Sequence, residues 1–556
     1  MAKRTARKRG RQRGRGVPLA LVGAAAGGIL GAQAFPPVGA WVLAPVSAAL
    51  LMASLAAAGP FLGFGIATVY GLAFFGPLLT WAAAAAGPVE WLALVIAASL
   101  MWGLLGAGWS TVQRMPWLAR RPAIGAAAFA TLWTASDELR AIAPFSGFPW
   151  GRLAFTQADS PLGHLAILGG TPLVTAVTVL VGALLVVAAR SLLRGNTWAA
   201  TGLAVTALAL ALGPLVIGLD SRPQSGTMTI AGIQGNVPEP GSLPRREEIR
   251  AVFDNHLNQT NALADRSNAA GGVGAEDSGG GVGEGESSGA TPDANPKQPI
   301  DLVVWPEDSA DHDPQTHPDE AEALTKAART VGAPILVGIQ EFPDSGGRRN
   351  VTLLWDPEQG AAIGRYVKRH PVPFGEYMPL RGLAELVSKA AREVTTDMIP
   401  GEEPGVMNVQ VKALGRGVPV GVAICFEVVY DPLMADLVKH RAEILVVQTN
   451  NASFGRTGES EQQLAASRLR AIEHGRAVVH VSTTGVSGMI SPSGVLLDKT
   501  GFWEPGVMVV SLPLRTSITP ATHIAGALSW AFLVLGAGLA VAASYQALTH
   551  RRRDGR

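Results

Sequence analysis

Long apolar runs dominate the first two fifths of the chain and return once near its end. They lie at about Pro18–Phe35, Gly39–Ala58, Phe61–Ala85, Trp91–Trp109, Ala123–Ser136, Leu168–Ala189, Thr197–Ile217 and His523–Ala547. A hydrocarbon layer about 30 Å thick is crossed by about 20 residues of helix, so the pattern predicts about eight transmembrane helices, seven before a more polar region and one after it. The fifth run is short, bounded by Arg121 and Asp137. Between Asp220 and Ala521 the pattern changes. Short β-branched runs such as Thr227–Gly232, Ile300–Trp305, Ala333–Ile339, Val351–Trp355, Ala361–Val367, Val418–Ile424, Glu443–Gln448, Ala477–Ser482 and Val507–Leu512 read as strands. Pro318–Thr330 and Glu459–His474 carry helical periodicity with charged faces. This is an α/β region interrupted by Arg266–Gln298, where nine glycines and no aromatic residue predict a disordered insert.

Charge sharpens the division. Charged residues make up 16% of the 556-residue chain, against about a quarter in soluble domains. Only 11 lie between Val17 and Leu219, which excludes a wholly soluble enzyme. Residues 1–16 form a basic arm with eight Lys and Arg and no acid, placed directly before an apolar run. That position suits anionic lipid better than nucleic acid. With the arm in the cytoplasm, the inner side also collects Arg114, Arg120, Arg121, Arg190, Arg194 and Arg551, Arg552, Arg553 and Arg556. The outer short loops hold only Arg140 and Arg152, a bias of seventeen to two. The expected organisation is a cytoplasmic arm (1–16), a membrane domain of seven helices (17–219), an extracytoplasmic domain (220–521, with the insert 266–298), an eighth helix (522–547) and a cytoplasmic tail (548–556). Ala32-Gln33-Ala34 resembles a signal-peptide cleavage site, but further apolar helices follow and Phe35-Pro36-Pro37 reads as a turn, so the first helix is read as uncleaved.

One cysteine, Cys425, excludes a disulfide scaffold and a CxxC zinc site. His256, His312 and His317 lack a ligand spacing, and no glycine-rich phosphate loop is present. Cys425 instead belongs to a set of three: an apolar strand ending in a reactive side chain. LVVWPE ends in Glu307, AAIGRYVK in Lys368, and GVAIC in Cys425. Ligands of open α/β folds bind beyond the carboxyl ends of strands, so three such ends can converge. A carboxylate to take the thiol proton, a cation to steady thiolate and oxyanion, and a thiolate nucleophile make an acyl-transfer set.

The segments WPE, YVKRHPVPFGEYMPL and AICFE resemble the three signatures of the nitrilase, or carbon–nitrogen hydrolase, superfamily. IQGNVP, TNNASFG, RLRAIEHGRAVVHVSTTGVSGMISPSG, FSGFPWGRLAFTQ and AFPPVGAW narrow the resemblance to the apolipoprotein N-acyltransferase family over nearly the whole chain. The resemblance implies a catalytic triad of Glu307, Lys368 and Cys425, and a multi-pass helical membrane domain carrying an αββα sandwich outside the cytoplasm. It implies transfer of a fatty acyl chain from a phospholipid, through a Cys thioester, to the α-amine of the diacylglyceryl-cysteine that begins a bacterial apolipoprotein. No metal or organic cofactor is implied. The expected partners are the phospholipid donor, the apolipoprotein acceptor and membrane lipids, with the protein a monomer in the cell (inner or plasma) membrane.

Around the triad, Glu376 is expected to orient Lys368 or the incoming group, or else to be an ordinary loop carboxylate. Glu427 would face the same side as Cys425 if the strand continued, and is a candidate site wall. Phe426 stands where the family often has Tyr, so a phenol hydrogen bond is missing. Asn450 and Asn451 follow a strand and either line the pocket or form a turn. Trp150, in an outer loop, either gates lipid access or is an interfacial anchor. The alternative function is a membrane-tethered amidase or nitrilase using the same triad with water as acceptor; seven leading helices exceed what a tether needs. The charge bias yields a test of topology. Cysteines introduced between Glu307 and Cys425, in a Cys425→Ala background, should react with an impermeant maleimide in intact spheroplasts. Reaction only after lysis would reverse the orientation.

Overall fold

The computed structural model describes residues 2–238, 242, 244–272, 299–310, 312–387 and 390–554. In the amino-terminal part the helices are α1 (Ala2–Gln33), α2 (Leu43–Ser54), α3 (Pro60–Leu78), α4 (Thr80–Ala86), α5 (Pro88–Val112), α6 (Pro116–Ala119), α7 (Pro122–Ile142), α8 (Ala166–Leu193) and α9 (Thr197–Leu212). Each of the eight apolar runs is helical, counting α16 (Pro520–Asp554) at the carboxyl end. Among the described residues, six helices are long and apolar enough to cross a membrane: those containing Gly16–Gln33, Pro60–Leu78, Pro88–Val112, Pro161–Leu193, Thr197–Val216 and Pro520–Thr549. The other two differ for physical reasons. Helix α2 has only 12 residues, and α7 ends in Asp137, Glu138 and Arg140, which are buried against protein. Helices α3 and α5 approach through Gly63 and Gly106: a Cβ on Gly63 would lie 2.6 Å from the Gly106 carbonyl. Lipid offers no hydrophobic drive between helices, so such close backbone packing supplies the contact. Outward-facing Leu19, Trp198, Val534 and Val541 remain exposed, an apolar surface suited to acyl chains.

The α/β part contains β1 (Thr227–Gln234), α10 (Arg245–Gly272), β2 (Leu302–Val304), α11 (Pro318–Val331), β3 (Ile335–Glu341), β4 (Arg349–Asp356) and β5 (Ala361–Val367). It continues through α12 (Arg381–Val387), α13 (Ala390–Glu393), β6 (Val406–Val411), β7 (Arg416–Ile424), α14 (Asp431–Lys439), β8 (Ile444–Thr449), α15 (Glu459–His474), β9 (Val478–Ser482), β10 (Gly488–Ile490), β11 (Leu496–Lys499) and β12 (Gly506–Pro513). Two six-stranded sheets form, in the orders β12-β1-β2-β3-β4-β5 and β11-β10-β9-β8-β7-β6. Each has three parallel strands (β1, β2, β3 and β7, β8, β9) flanked by antiparallel ones. Both faces of these strands are covered, which is why they read as unbroken apolar runs. Leu302, Val304, Leu336 and Leu354 pack between the sheets, while Val303, Trp305, Ile335, Val337 and Leu353 join Phe253, Leu324 and Ala328 beneath α10 and α11.

Helix α10 runs through Gly272, into the first residues of the expected insert 266–298. Helix anchored by Phe253 and Leu263 propagates cheaply once nucleated, and Ala269 and Ala270 favour it. Residues 273–298 lie outside the described residues.

The two parts are joined by buried charge. Asp431, at the start of α14, accepts from Arg152 at 2.5 Å, Arg470 at 2.5 Å and Thr171 at 2.7 Å. Arg152 also reaches Glu138 of α7 at 3.4 Å, and Arg470 pairs with Glu473 and donates to the Val428 carbonyl at 2.7 Å. Burial opposes Asp431's charge, but the two guanidiniums outweigh it and hold its carboxyl well below the usual range. Removing one partner of such a network strands the others. Asp431→Ala should therefore cost about 3 kcal/mol, softened by the carboxylates left to each Arg. Thermal unfolding in detergent would show it as a lowered midpoint; an unchanged midpoint would mean that the network adds nothing to stability.

Candidate active site

Glu307, Lys368, Cys425 and Asn450 each follow the carboxyl end of a strand: β2, β5, β7 and β8. The sandwich brings all four ends together at the level of the Phe148–Trp150 loop. Lys368 Nζ donates to Glu307 Oε1 at 3.1 Å and to Glu376 Oε1 at 2.6 Å. Glu307 Oε1 also accepts from Asn350 Nδ2 at 2.6 Å, and its Oε2 from the Asn450 N–H at 2.9 Å. All three side chains of the set are buried, Lys368 completely.

Burial sets the electrostatics. It pushes the Glu307 carboxyl up from 4.5 to about 7, with Lys368 pulling the other way and Asp308 and Glu376 adding to the rise. Burial also opposes the Lys368 charge, but Glu307 and Glu376 hold the ammonium well above its ordinary value. The Cys425 thiol is pushed well up by burial and by Glu307, with Lys368 opposing. The resting site is therefore a neutral thiol beside a base poised near neutrality and a permanent cation.

Cys425 sits at φ +55°, in the left-handed region that costs a non-glycine residue about 1–2 kcal/mol. The chain turns there from β7 into a short 3-10 segment, Cys425–Val429. Glu427 is what holds this turn. Its Oε1 accepts from the N–H groups of Arg369 (2.6 Å) and His370 (3.1 Å), its Oε2 from the Ile424 N–H (2.8 Å), and both from Tyr366 Oη (2.9 and 2.8 Å). The strand does not continue, and Glu427 turns back to tie the Lys368 loop to the Cys425 turn.

The remaining candidates separate. Glu376 adjoins Lys368 and is fixed by the Val372 N–H at 2.7 Å. Phe426 stacks on Trp150 (5.5 Å between centroids) and Phe148 (5.9 Å). Trp150 is buried and donates through Nε1 to Gln462 at 2.8 Å, and Trp81 joins it at 5.3 Å. Together they form an aromatic wall between the membrane helices and the Cys425 turn. Asn450 braces Asp308 (3.1 Å) as well as Glu307. Asn451 Oδ1 accepts from Thr449 Oγ1 at 3.0 Å.

Sequence reasoning missed Asn350, Gln448 and Gln463. Gln448 Nε2 donates to the Trp305 carbonyl and its Oε1 accepts from Thr352 Oγ1 at 2.5 Å, linking the two sheets behind Glu307. Gln463 Nε2 lies 3.6 Å from Cys425 Sγ. Asn350 and Gln448 did carry a signal, being amides inside otherwise apolar strands.

The chain matches two family models: "Apolipoprotein N-acyltransferase N-terminal domain" over residues 27–184 and "Carbon-nitrogen hydrolase" over residues 266–519. It is 36% identical to the apolipoprotein N-acyltransferase of Mycolicibacterium smegmatis over 96% of this chain and 87% of that one. To the Azotobacter vinelandii enzyme of the same name it is 28% identical over 96% and 95%. Among solved structures it is similar to a nitrilase-superfamily amidase from Nesterenkonia, at 18% identity and a TM-score of 0.34, covering 53% of this chain and 94% of that one.

The electrostatics predict a pH dependence. With its carboxyl raised to about 7, Glu307 is protonated below that pH and cannot take the thiol proton. Alkylation of Cys425, the only cysteine, should slow roughly tenfold per unit as pH falls below 7 and level off above it. Glu307→Gln should abolish that inflection. An inflection that survives the substitution would assign it to another group.

Proposed function

The chain belongs to the apolipoprotein N-acyltransferase family, and on that premise we propose that Glu307, Lys368 and Cys425 carry out its acyl transfer as a triad. It is an acyltransferase of the carbon–nitrogen hydrolase superfamily acting in lipoprotein maturation. One observation carries the assignment of residues: the buried Lys368 bonds to Glu307 at 3.1 Å, and the charges of both act on the Cys425 thiol, the three side chains following the ends of three different strands.

In the proposed cycle Glu307 takes the Cys425 proton and the thiolate attacks the ester carbonyl of a phospholipid. The ammonium of Lys368 faces the oxyanion of the tetrahedral intermediate. The C–O bond breaks, Glu307 returns the proton to the departing lysophospholipid oxygen, and a thioester remains. The neutral α-amine of a diacylglyceryl-cysteine then attacks that thioester. Glu307 accepts an N–H proton and passes it to the sulfur as the C–S bond breaks, leaving an amide and free thiol. Glu376 holds Lys368 in place. The wall of Phe148, Trp150, Phe426 and Trp81 offers the acyl chain an apolar face and limits water, which would otherwise hydrolyse the thioester. The orientation proposed with this cycle puts both termini in the cytoplasm and residues 220–521 outside, as the basic residues favour.

Incubation with phospholipid alone should add one fatty acyl mass to the intact protein, labile to hydroxylamine and mapped to Cys425. Cys425→Ser should lose turnover, and Lys368→Met should lose about 2.7–4 kcal/mol of transition-state stabilisation, as loss of one oxyanion donor does elsewhere. The trapped acyl-enzyme should discharge much faster to a diacylglyceryl-cysteinyl peptide than to water. Equal discharge with and without peptide would favour the amidase-like alternative; no adduct with any phospholipid would defeat the triad assignment.

A further inference from the structure

Five carboxyl groups lie in and around this site, and four of them are fully engaged. Both oxygens of Glu307 accept hydrogen bonds, as do both of Glu376 and both of Glu427. Asp308 accepts from Gln340 at 2.6 Å and from Asn450 at 3.1 Å. The fifth, Glu459, is different. It is 2% exposed, and its Oε2 has no hydrogen-bond partner among the described residues. It opens α15 one turn before Gln463, so the two share a helix face, and Gln463 lies against Sγ. It is electrostatically coupled to Cys425 and to Glu307.

Two further buried polar atoms, Ser460 Oγ and Asn451 Nδ2, are also unpartnered among the described residues. They belong together, because Ser460 and Asn451 are both neighbours of Gly485. A Cβ there would stand 2.8 Å from Ser460 Cβ and 3.4 Å from Asn451 Cβ. A side chain at Gly485, itself at φ +83°, would fill this corner. Asn451 connects onward through Thr449 and Gln463 (3.0 and 2.9 Å) to the sulfur. Ser460 Oγ and Asn451 Nδ2 in this corner, and Glu459 Oε2 one residue back along α15, are unpaired among the described residues at about 1–3 kcal/mol each, a burden that a ligand would relieve. The set offers a carboxyl oxygen, a hydroxyl and an amide N–H. That combination fits a primary amine flanked by a peptide carbonyl.

We propose that Glu459, Ser460 and Asn451 seat the amino terminus of the acceptor, Glu459 and Ser460 receiving its α-amino N–H groups and Asn451 donating to its first peptide carbonyl. The inference rests on the acyl-transfer reading above. The phospholipid donor has no use for such a seat at its ester, so the seat separates acceptor from donor. Burial holds the Glu459 carboxyl well above its ordinary range, so in the resting site it adds no second negative charge beside the thiolate that must form. Its free oxygen then accepts an N–H of the neutral α-amine that the cycle above requires, with no proton changing hands at the seat.

The test separates the half-reactions in the full-length protein in detergent with phospholipid. Acylation is read as lysophospholipid released in one turnover without acceptor; transfer is read with a diacylglyceryl-cysteinyl peptide. A peptide lacking only the α-amine serves as competitive inhibitor. Glu459→Leu should raise KM for the amino peptide roughly tenfold or more, while the acylation rate and the Ki of the desamino peptide hold. Ser460→Ala and Asn451→Ala, measured in the same way, carry the test if the Leu variant does not fold. Asn451→Ala should weaken both peptides, because it contacts their shared carbonyl. A fall in acylation rate, an equal loss of both peptides in Glu459→Leu, or unchanged constants in these variants would overturn the seat. Absence of any acyl adduct in the unsubstituted protein would instead defeat the underlying reading.

Discussion

A charged pair held out of water governs this site. Glu307 and Lys368 can both be buried because each is the other's partner and further hydrogen bonds support both: Asn350 and Asn450 on the carboxylate, Glu376 on the ammonium. The same burial raises Glu307 to about 7, where a carboxylate is strong enough to deprotonate a thiol and weak enough to return the proton. Move the pair into water and the carboxylate returns toward its ordinary range, where it is a poor base. The sandwich is the means of excluding that water. Its parallel strands are covered on both faces, and the amides of Asn350 and Gln448 are spent on fixing the strand ends rather than on solvent.

The Cys425 turn depends on a second buried carboxylate. A left-handed cysteine is unfavourable alone, and Glu427 pins it with the N–H groups on both sides of the site, Ile424 before the cysteine and Arg369 and His370 after the lysine. One side chain therefore sets the relative position of the nucleophile and the cation. The residue after the cysteine, Phe426, then projects into the membrane helices and stacks on Phe148 and Trp150. That loop is itself fixed by Arg140, which donates to the carbonyls of Phe148 (2.5 Å) and Trp150 while pairing with Asp137 at 2.8 Å. A contiguous line of hydrogen bonds and stacked rings thus runs from α7 to the thiol.

Much of this was legible in the residue order. The strands ending in Glu307, Lys368 and Cys425 stood out because apolar β-branched runs ended in reactive groups. All eight apolar runs are helices, because hydrophobic length is a local property. What was illegible came from long-range pairing. Glu427 looked like a continuation of its strand, since nothing local announces the positive φ at Cys425. Asp137 looked like a span boundary, whereas it pairs with Arg140, which holds the Phe148–Trp150 loop, and the neighbouring Glu138 reaches Arg152, the partner of Asp431. Gln463 and Glu459 lie on a helix whose periodicity reads as solvent-facing, yet α15 is buried along nearly its whole length between the sheet and the membrane helices. The glycine-rich stretch after α10 looked uniform by composition, but helix carried outward from a packed anchor overrides composition for its first residues.

The joint between the two parts bears on why a hydrolase-type triad can serve a transferase. A thioester in an open cleft is lost to water, present at tens of molar. Here Phe426, next to the cysteine, stacks on aromatic rings from the membrane part, and Gln463 beside the sulfur leads through Thr449 to Asn451 of the proposed acceptor seat. The rings tolerate an acyl chain and exclude water. The polar corner, at the start of α15, wants a group that donates and accepts at once, and water fills that description poorly when a carboxyl, a hydroxyl and an amide must all be met at fixed positions. On the proposed reading, selectivity against hydrolysis comes from geometry on both sides of the cysteine. That geometry requires the membrane helices, because Gln462, next to Gln463, is fixed by Trp150 and by the Leu78 carbonyl at 3.3 Å. Detach the helices and α15 loses the contacts that hold its first turn against the thiol. The same triad would then stand in a wetter pocket, with water as its natural acceptor.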